Sequence, residues 1–180
     1  PETLVNFDGS NLKTVALAGT KRPEYEVWSE KENTEQKIVE KYILDKLIPI
    51  CKQIKITKQQ TIKAGSIEHL KSTITAKTKC SPSELIDLIH PTPAVCGSPF
   101  DKAIKEINKT EKHFRSFYTG YLGLINASNC ETYVNLRCAR IKDGKTTLYA
   151  GGGITIDSIA ESEWNEIVSK TKTILKIFSN

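Results

Sequence analysis

The 180-residue sequence contains no methionine, and only four of its 26 basic residues are arginines: Arg22, Arg115, Arg137 and Arg140. Its lysines are scattered along the whole chain among 21 acidic residues, with no block of five like charges. A net charge of +5 so dispersed attracts anions in general but lacks the clustered basic stripe of a nucleic-acid binder. No apolar run reaches bilayer-spanning length and no secretory pattern opens the chain, so neither nucleic acid nor membrane is expected as a partner, and a cytoplasmic address is. The five cysteines, Cys51, Cys80, Cys96, Cys130 and Cys138, are odd in number and form no C-x-x-C pair. This argues against a disulfide framework or a zinc site and for a reducing compartment. Because methionine is missing and PETLV starts as if in mid-motif, a fragment of a longer chain is expected. No repeat, low-complexity tract or linker divides it, and 26% charged with 38% hydrophobic residues suits one soluble domain over residues 1–180.

Hydrophobic periodicity supplies the elements. Residues 2–17 read as a hairpin about Asp8-Gly9-Ser10-Asn11, and residues 32–51 as an amphipathic helix ending near Pro49. Strands are expected at 53–57 and 66–78, and a short helix with proline in its first turn at 81–89. The two prolines of His90-Pro91-Thr92-Pro93 predict an irregular segment to Gly97, and another helix follows to about Lys109. Strands at 116–125, 132–141 and 146–150 precede a last helix. Strands and helices in this order predict an α+β fold, with helices packed on an antiparallel sheet.

The densest chemistry lies in residues 149–170, YAGGGITIDSIAESEWNEIVSK. Three adjacent glycines, Gly151 to Gly153, leave the backbone open to close approach. Ser158 and Glu161 have capping-box spacing, which predicts a helix starting near Ile159. Trp164, Ile167, Val168, Thr171, Ile174, Leu175 and Phe178 then form one apolar stripe, and Glu163, Glu166 and Lys170 share a polar face along its edge. Two readings of that face compete. One is a solvated edge with an i,i+4 pair between Glu166 and Lys170, and the other is a pair of carboxylates holding a hard cation, with a lysine for a substrate carboxylate.

Five segments weigh on this choice. PETLV at 1–5, LAGT at 17–20, HPTPAVCG at 90–97, YTGYLG to NLRCA within 118–139, and the 149–170 stretch occur in order along nearly the whole chain. Together they resemble the C-terminal part of a chorismate-utilising enzyme, specifically an isochorismate synthase, an isomerase of quinone or siderophore biosynthesis. The resemblance implies that Glu2, Glu163 and Glu166 ligate Mg2+, which binds the ring carboxylate of chorismate. It also implies that Lys170 and the backbone at Gly151 face that carboxylate, while Arg137, helped by Tyr118, engages the enolpyruvyl carboxylate. His69 matches a histidine of the family's site. Ala94 stands where pyruvate-eliminating relatives commonly carry threonine, which favours a synthase that stops at isochorismate.

Planar arginine suits a carboxylate better than lysine does, and carboxylates that converge in a protein call for a cation. The reaction also needs a lysine base and a glutamate acid, which the resemblance puts before PETLV, so no catalytic acid or base is expected here and the isolated chain is expected to be inactive or nearly so. Exposed apolar surface should then invite self-association. A pyruvate-releasing lyase of the same family and a non-catalytic binding module are the competing readings. Cys96, with only His90 near it in sequence, lacks the partners of a nucleophile.

Overall fold

The structure, a computed structural model, describes residues 2–175 and 177–178, so the Pro1 of PETLV lies outside it. Strands β1 (Glu2–Phe7) and β2 (Asn11–Lys21) form the expected hairpin, with the Asp8 carboxylate accepting from the N–H groups of Ser10 and Asn11 in the turn. Helix α1 (Glu30–Leu47) buries Gln36, Val39, Ile43 and Leu47 at helical spacing and ends two residues before Pro49. Next come β3 (Lys52–Ile56), β4 (Gln60–Ala64) and β5 (Ile67–Lys77). The unforeseen β4 pairs with one half of β5 while β3 pairs with the other. Its sequence, QTIKA, carries too few apolar residues to announce a strand.

Helix α2 (Pro82–Ile89) starts where expected, with Ser81 and Glu84 in a reciprocal capping box and Pro82 in the first turn. Contrary to the irregular segment anticipated at 90–97, Pro93–Cys96 form a one-turn helix, α3, because a proline at N1 starts a helix as readily as it ends one. Helix α4 (Phe100–Thr110) follows, then β6 (Tyr121–Ile125) and β7 (Cys130–Val134). The single strand expected at 132–141 is broken after Val134, and its remainder forms β8 (Cys138–Lys142), paired with β9 (Lys145–Tyr149) in a separate ribbon. Helix α5 (Ala160–Leu175) closes the chain.

The main sheet runs β3-β5-β2-β1-β7-β6, with antiparallel neighbours throughout, and β4 lies beside β5. Leu4 and Val5 from β1, Ile74 from β5, Ile43 from α1 and Ile86 from α2 belong to one buried cluster. This is the α+β architecture expected, with helices on an antiparallel sheet.

Helix α5 departs from expectation in two ways. Ile174 is buried and Ile167, Val168 and Thr171 are half-buried, but Trp164 is 64% exposed and Leu175 and Phe178 also face solvent, so the apolar stripe is covered only in its middle. Among the described residues, Ser158 is not paired with Glu161. The Ser158 hydroxyl instead accepts from the Thr155 N–H at 3.0 Å and donates to Glu163 at 2.6 Å.

Candidate active site

Strand register brings several of the singled-out residues to one end of the sheet. Thr20 of β2 lies opposite His69 of β5, and Glu2 of β1 lies opposite Val134 of β7, three residues before Arg137. Arg137 occupies the break between β7 and β8 with φ +50°, a left-handed conformation that a side-chain-bearing residue adopts at a cost. That turn aims the guanidinium back across the sheet, where it donates to His69 Nε2 at 2.6 Å and to the Ala64 carbonyl at 3.3 Å.

A donor on Nε2 fixes the histidine tautomer. His69 Nε2 accepts, so Nδ1 carries the proton and donates to the Gly19 carbonyl at 3.0 Å. Burial pushes the His69 pKa down to about 4, with the charges of Arg137 and Lys170 pushing the same way against the Gly19 hydrogen bond. His69 is therefore a neutral acceptor that holds a cation in place.

The glycine turn and α5 form the second part. Lys170 Nζ sits 2.6 Å from Glu166 Oε1 and donates to the Gly151 carbonyl at 3.0 Å, so the i,i+4 pair is made and also ties the helix to the turn. Above Gly151 stands the Tyr118 hydroxyl, only 2.7 Å from where a Cβ would lie, and the Tyr118 ring stacks on Tyr149. Arg115, bound to both oxygens of Glu111, lies over the Tyr118 ring with its Cζ 5.9 Å from the centroid and donates to the Val95 carbonyl at 3.0 Å. Ala94, exposed on α3, precedes the Val95 that Arg115 holds.

Glu163 and Glu166 converge on Gly152. A Cβ there would stand 3.4 Å from Glu163 Oε2 and 3.4 Å from Glu166 Oε1. Glu163 is 6% exposed, and its Oε1 also meets Lys31 Nζ of α1 at 2.5 Å. Burial favours its protonated form, but the hydrogen bonds from Lys31 and Ser158 outweigh that and hold its pKa below the ordinary range.

Glu2 makes no contact with Glu163 or Glu166 among the described residues. The carboxylate that approaches them is Glu35 of α1, unforeseen in the sequence, whose Oε1 is buried without a hydrogen bond and lies 3.7 Å from Lys31 Nζ. Burial pushes Glu35 up to about 7; Lys31 pulls it down, and Glu166 and Glu163 push it further up. Glu2 is also pushed up to about 7, by burial, with no other carboxylate contributing. The missed signal was positional: Glu35 stands next to buried Gln36 and one turn ahead of buried Val39, at the edge of the inward face of α1.

Among the described residues no three acidic, histidine or cysteine side chains already meet at metal-ligating distances. The chemistry of the donor set still fits a hard cation. It offers an orphaned buried carboxylate oxygen on Glu35 and a glycine-sized gap between Glu163 and Glu166.

The chain is similar to known proteins along nearly its whole length. Residues 1–179 match the family described as chorismate binding enzyme. The chain is 31% identical to isochorismate synthase MenF of Pasteurella multocida, across 98% of this chain and 45% of that protein. It is 33% identical to isochorismate synthase DhbC of Bacillus subtilis, across 98% and 48%. The crystal structure of a 2,3-dihydroxybenzoate-specific isochorismate synthase from Bacillus anthracis, itself described as putative, superposes with a TM-score of 0.90 at 31% identity, over 98% of this chain and 52% of that one. The chain thus spans about half the length of the relatives it matches.

Proposed function

Since the chain belongs to the chorismate binding enzyme family, we propose that residues 1–180 are the metal- and carboxylate-binding portion of an isochorismate synthase, the C-terminal part of its catalytic domain. The proposed reaction is an isomerisation of chorismate: water adds at C2 of the ring, the C4 hydroxyl leaves, and the double bonds shift. The convergence of Glu163 and Glu166 on Gly152, beside Lys170 and across from the held guanidinium of Arg137, carries this reading.

Each side chain then has a task. Arg137, oriented by neutral His69, takes one substrate carboxylate as a planar fork, and Lys170 stands for the other beside Gly151. Tyr118 limits the space above Gly151 and offers a hydroxyl there. Glu35, Glu163 and Glu166 would hold Mg2+, with Glu35 taking the third place first expected of Glu2. The ion would supply a fixed positive charge for the ring carboxylate and offset the three glutamates. Glu2, opposite Val134 at the sheet end that leads to Arg137 and raised by burial to about 7, suits the role of proton donor to the leaving hydroxyl, in place of the glutamate acid expected before PETLV. The lysine base is expected outside these residues, and Ala94 is the position read as favouring isomerisation over pyruvate loss. The five thiols, all free, accord with a reducing cytoplasm.

Titrating chorismate into the chain by calorimetry, with and without Mg2+, tests the reading. Binding that requires Mg2+ and weakens about tenfold or more in Arg137→Ala and Glu166→Gln is expected. Metal-independent binding unaffected by either change would overturn it, and isochorismate formation by the chain alone at the rate of a full-length synthase would overturn the division of the site.

A further inference from the structure

Lys31 is the residue of this cluster for which the proposed chemistry has no use, and its position is specific. It projects from the first turns of α1 and ends 2.5 Å from Glu163 Oε1 and 3.7 Å from Glu35 Oε1. Ser158 supports the same Glu163 oxygen, while Glu163 Oε2 points to the gap at Gly152 that Glu166 also faces. The cluster so formed holds three carboxylates, Glu35, Glu163 and Glu166, against two ammoniums, Lys31 and Lys170. Lys170 is tied into the turn through the Gly151 carbonyl and cannot leave without breaking it. Lys31 has no such backbone tie among the described residues, and its side chain is 22% exposed, with a route to solvent.

Resting on the cation site proposed above, we infer that Lys31 is a built-in counter-ion: its ammonium neutralises Glu163 and Glu35 while the divalent cation is away, and the arriving cation displaces it toward solvent. Two positive centres cannot share the same carboxylate oxygens at close range, since like charges a few ångströms apart in a half-buried site repel strongly. Lys31 is thus a positioning residue that keeps the carboxylates in place without metal and sets the affinity at which metal enters. A flexible, strongly hydrated lysine suits exchange between a buried pair and water better than a planar arginine would.

The test is Mg2+ alone, titrated into the wild-type chain, Lys31→Met, Lys31→Arg and Glu35→Gln by calorimetry, with circular dichroism to verify folding. Lys31→Met should bind Mg2+ about tenfold more tightly and melt at a lower temperature than the wild type without metal, Lys31→Arg should bind more weakly than the wild type because its fork is displaced less readily, and Glu35→Gln should bind at least tenfold more weakly. In the wild-type chain Mg2+ should also raise acylation of Lys31 by an amine-reactive ester, read by mass spectrometry, which keeps the test open if Lys31→Met does not fold. Unchanged or weaker binding in Lys31→Met, or unchanged labelling of Lys31 despite a Glu35-dependent binding isotherm, would overturn the counter-ion role and leave the cation site standing. Absence of Mg2+ binding in the wild type would overturn the site itself.

Discussion

At the scale of single residues, two titrations of opposite sign separate the roles of His69 and Glu2. The folded state holds His69 near 4 against an ordinary value of 6.5, so between these values the unfolded chain binds more protons. The stability this provides is complete above pH 6.5 and is lost as pH falls toward 4, a change on the order of 3 kcal/mol. Urea denaturation at pH 7 and pH 4.5 should show this loss in the wild type, and His69→Gln should abolish most of it. Glu2 behaves in the reverse manner. Its carboxyl is raised from 4.5 to about 7, so its contribution is full below pH 4.5 and declines as pH rises through 7. Glu2→Gln should therefore gain stability relative to the wild type at pH 8 and not at pH 4; an equal offset at both would show that burial does not govern this carboxyl.

At the scale of elements, legibility in the sequence depended on whether a pattern was local. Helix α2 could be read because Ser81, Pro82 and the apolar residues Leu85, Ile86 and Ile89 lie within one short segment that caps and buries itself. The hairpin of β1 and β2 was equally local. Arg137 was singled out, but its conformation was not, since a left-handed residue between β7 and β8 is set by His69 and Ala64, which are distant in sequence. Glu35 was missed for the same reason: its neighbours Glu163 and Glu166 come from α5. The glycine turn stands between these cases. Its opening was legible, but the sharing of that opening by two carboxylates was not. Gly152→Ala tests the turn directly. The added methyl would meet Glu163 Oε2 and Glu166 Oε1 at ordinary contact distance. Thermal melting should therefore change little while Mg2+ affinity falls, and an unchanged isotherm would place the cation elsewhere.

At the scale of the whole molecule, the chain is built like part of a larger body. All five residues of β6 are exposed, although the strand reads YLGLI and would suit a covered sheet, and Leu124 is 77% exposed. Among the described residues β7 is the strand's one neighbour, so β6 ends the main sheet with an open edge. Just before it, Phe114 and Phe117 are 90% and 83% exposed, an apolar patch of a kind that soluble surfaces rarely leave open. The relatives it matches are about twice as long. Alone in solution, the same edge is a template for a second copy. Sedimentation velocity should show mass rising with concentration, and Leu124→Lys, which sets a charge on the outer strand opposite Glu131, should return the chain to monomer without lowering its melting temperature. A chain monomeric at every concentration would mean that β6 is blunted by its own twist and by Gly123, whose extended backbone lies so close to Glu131 and Thr132 that no side chain would fit between them.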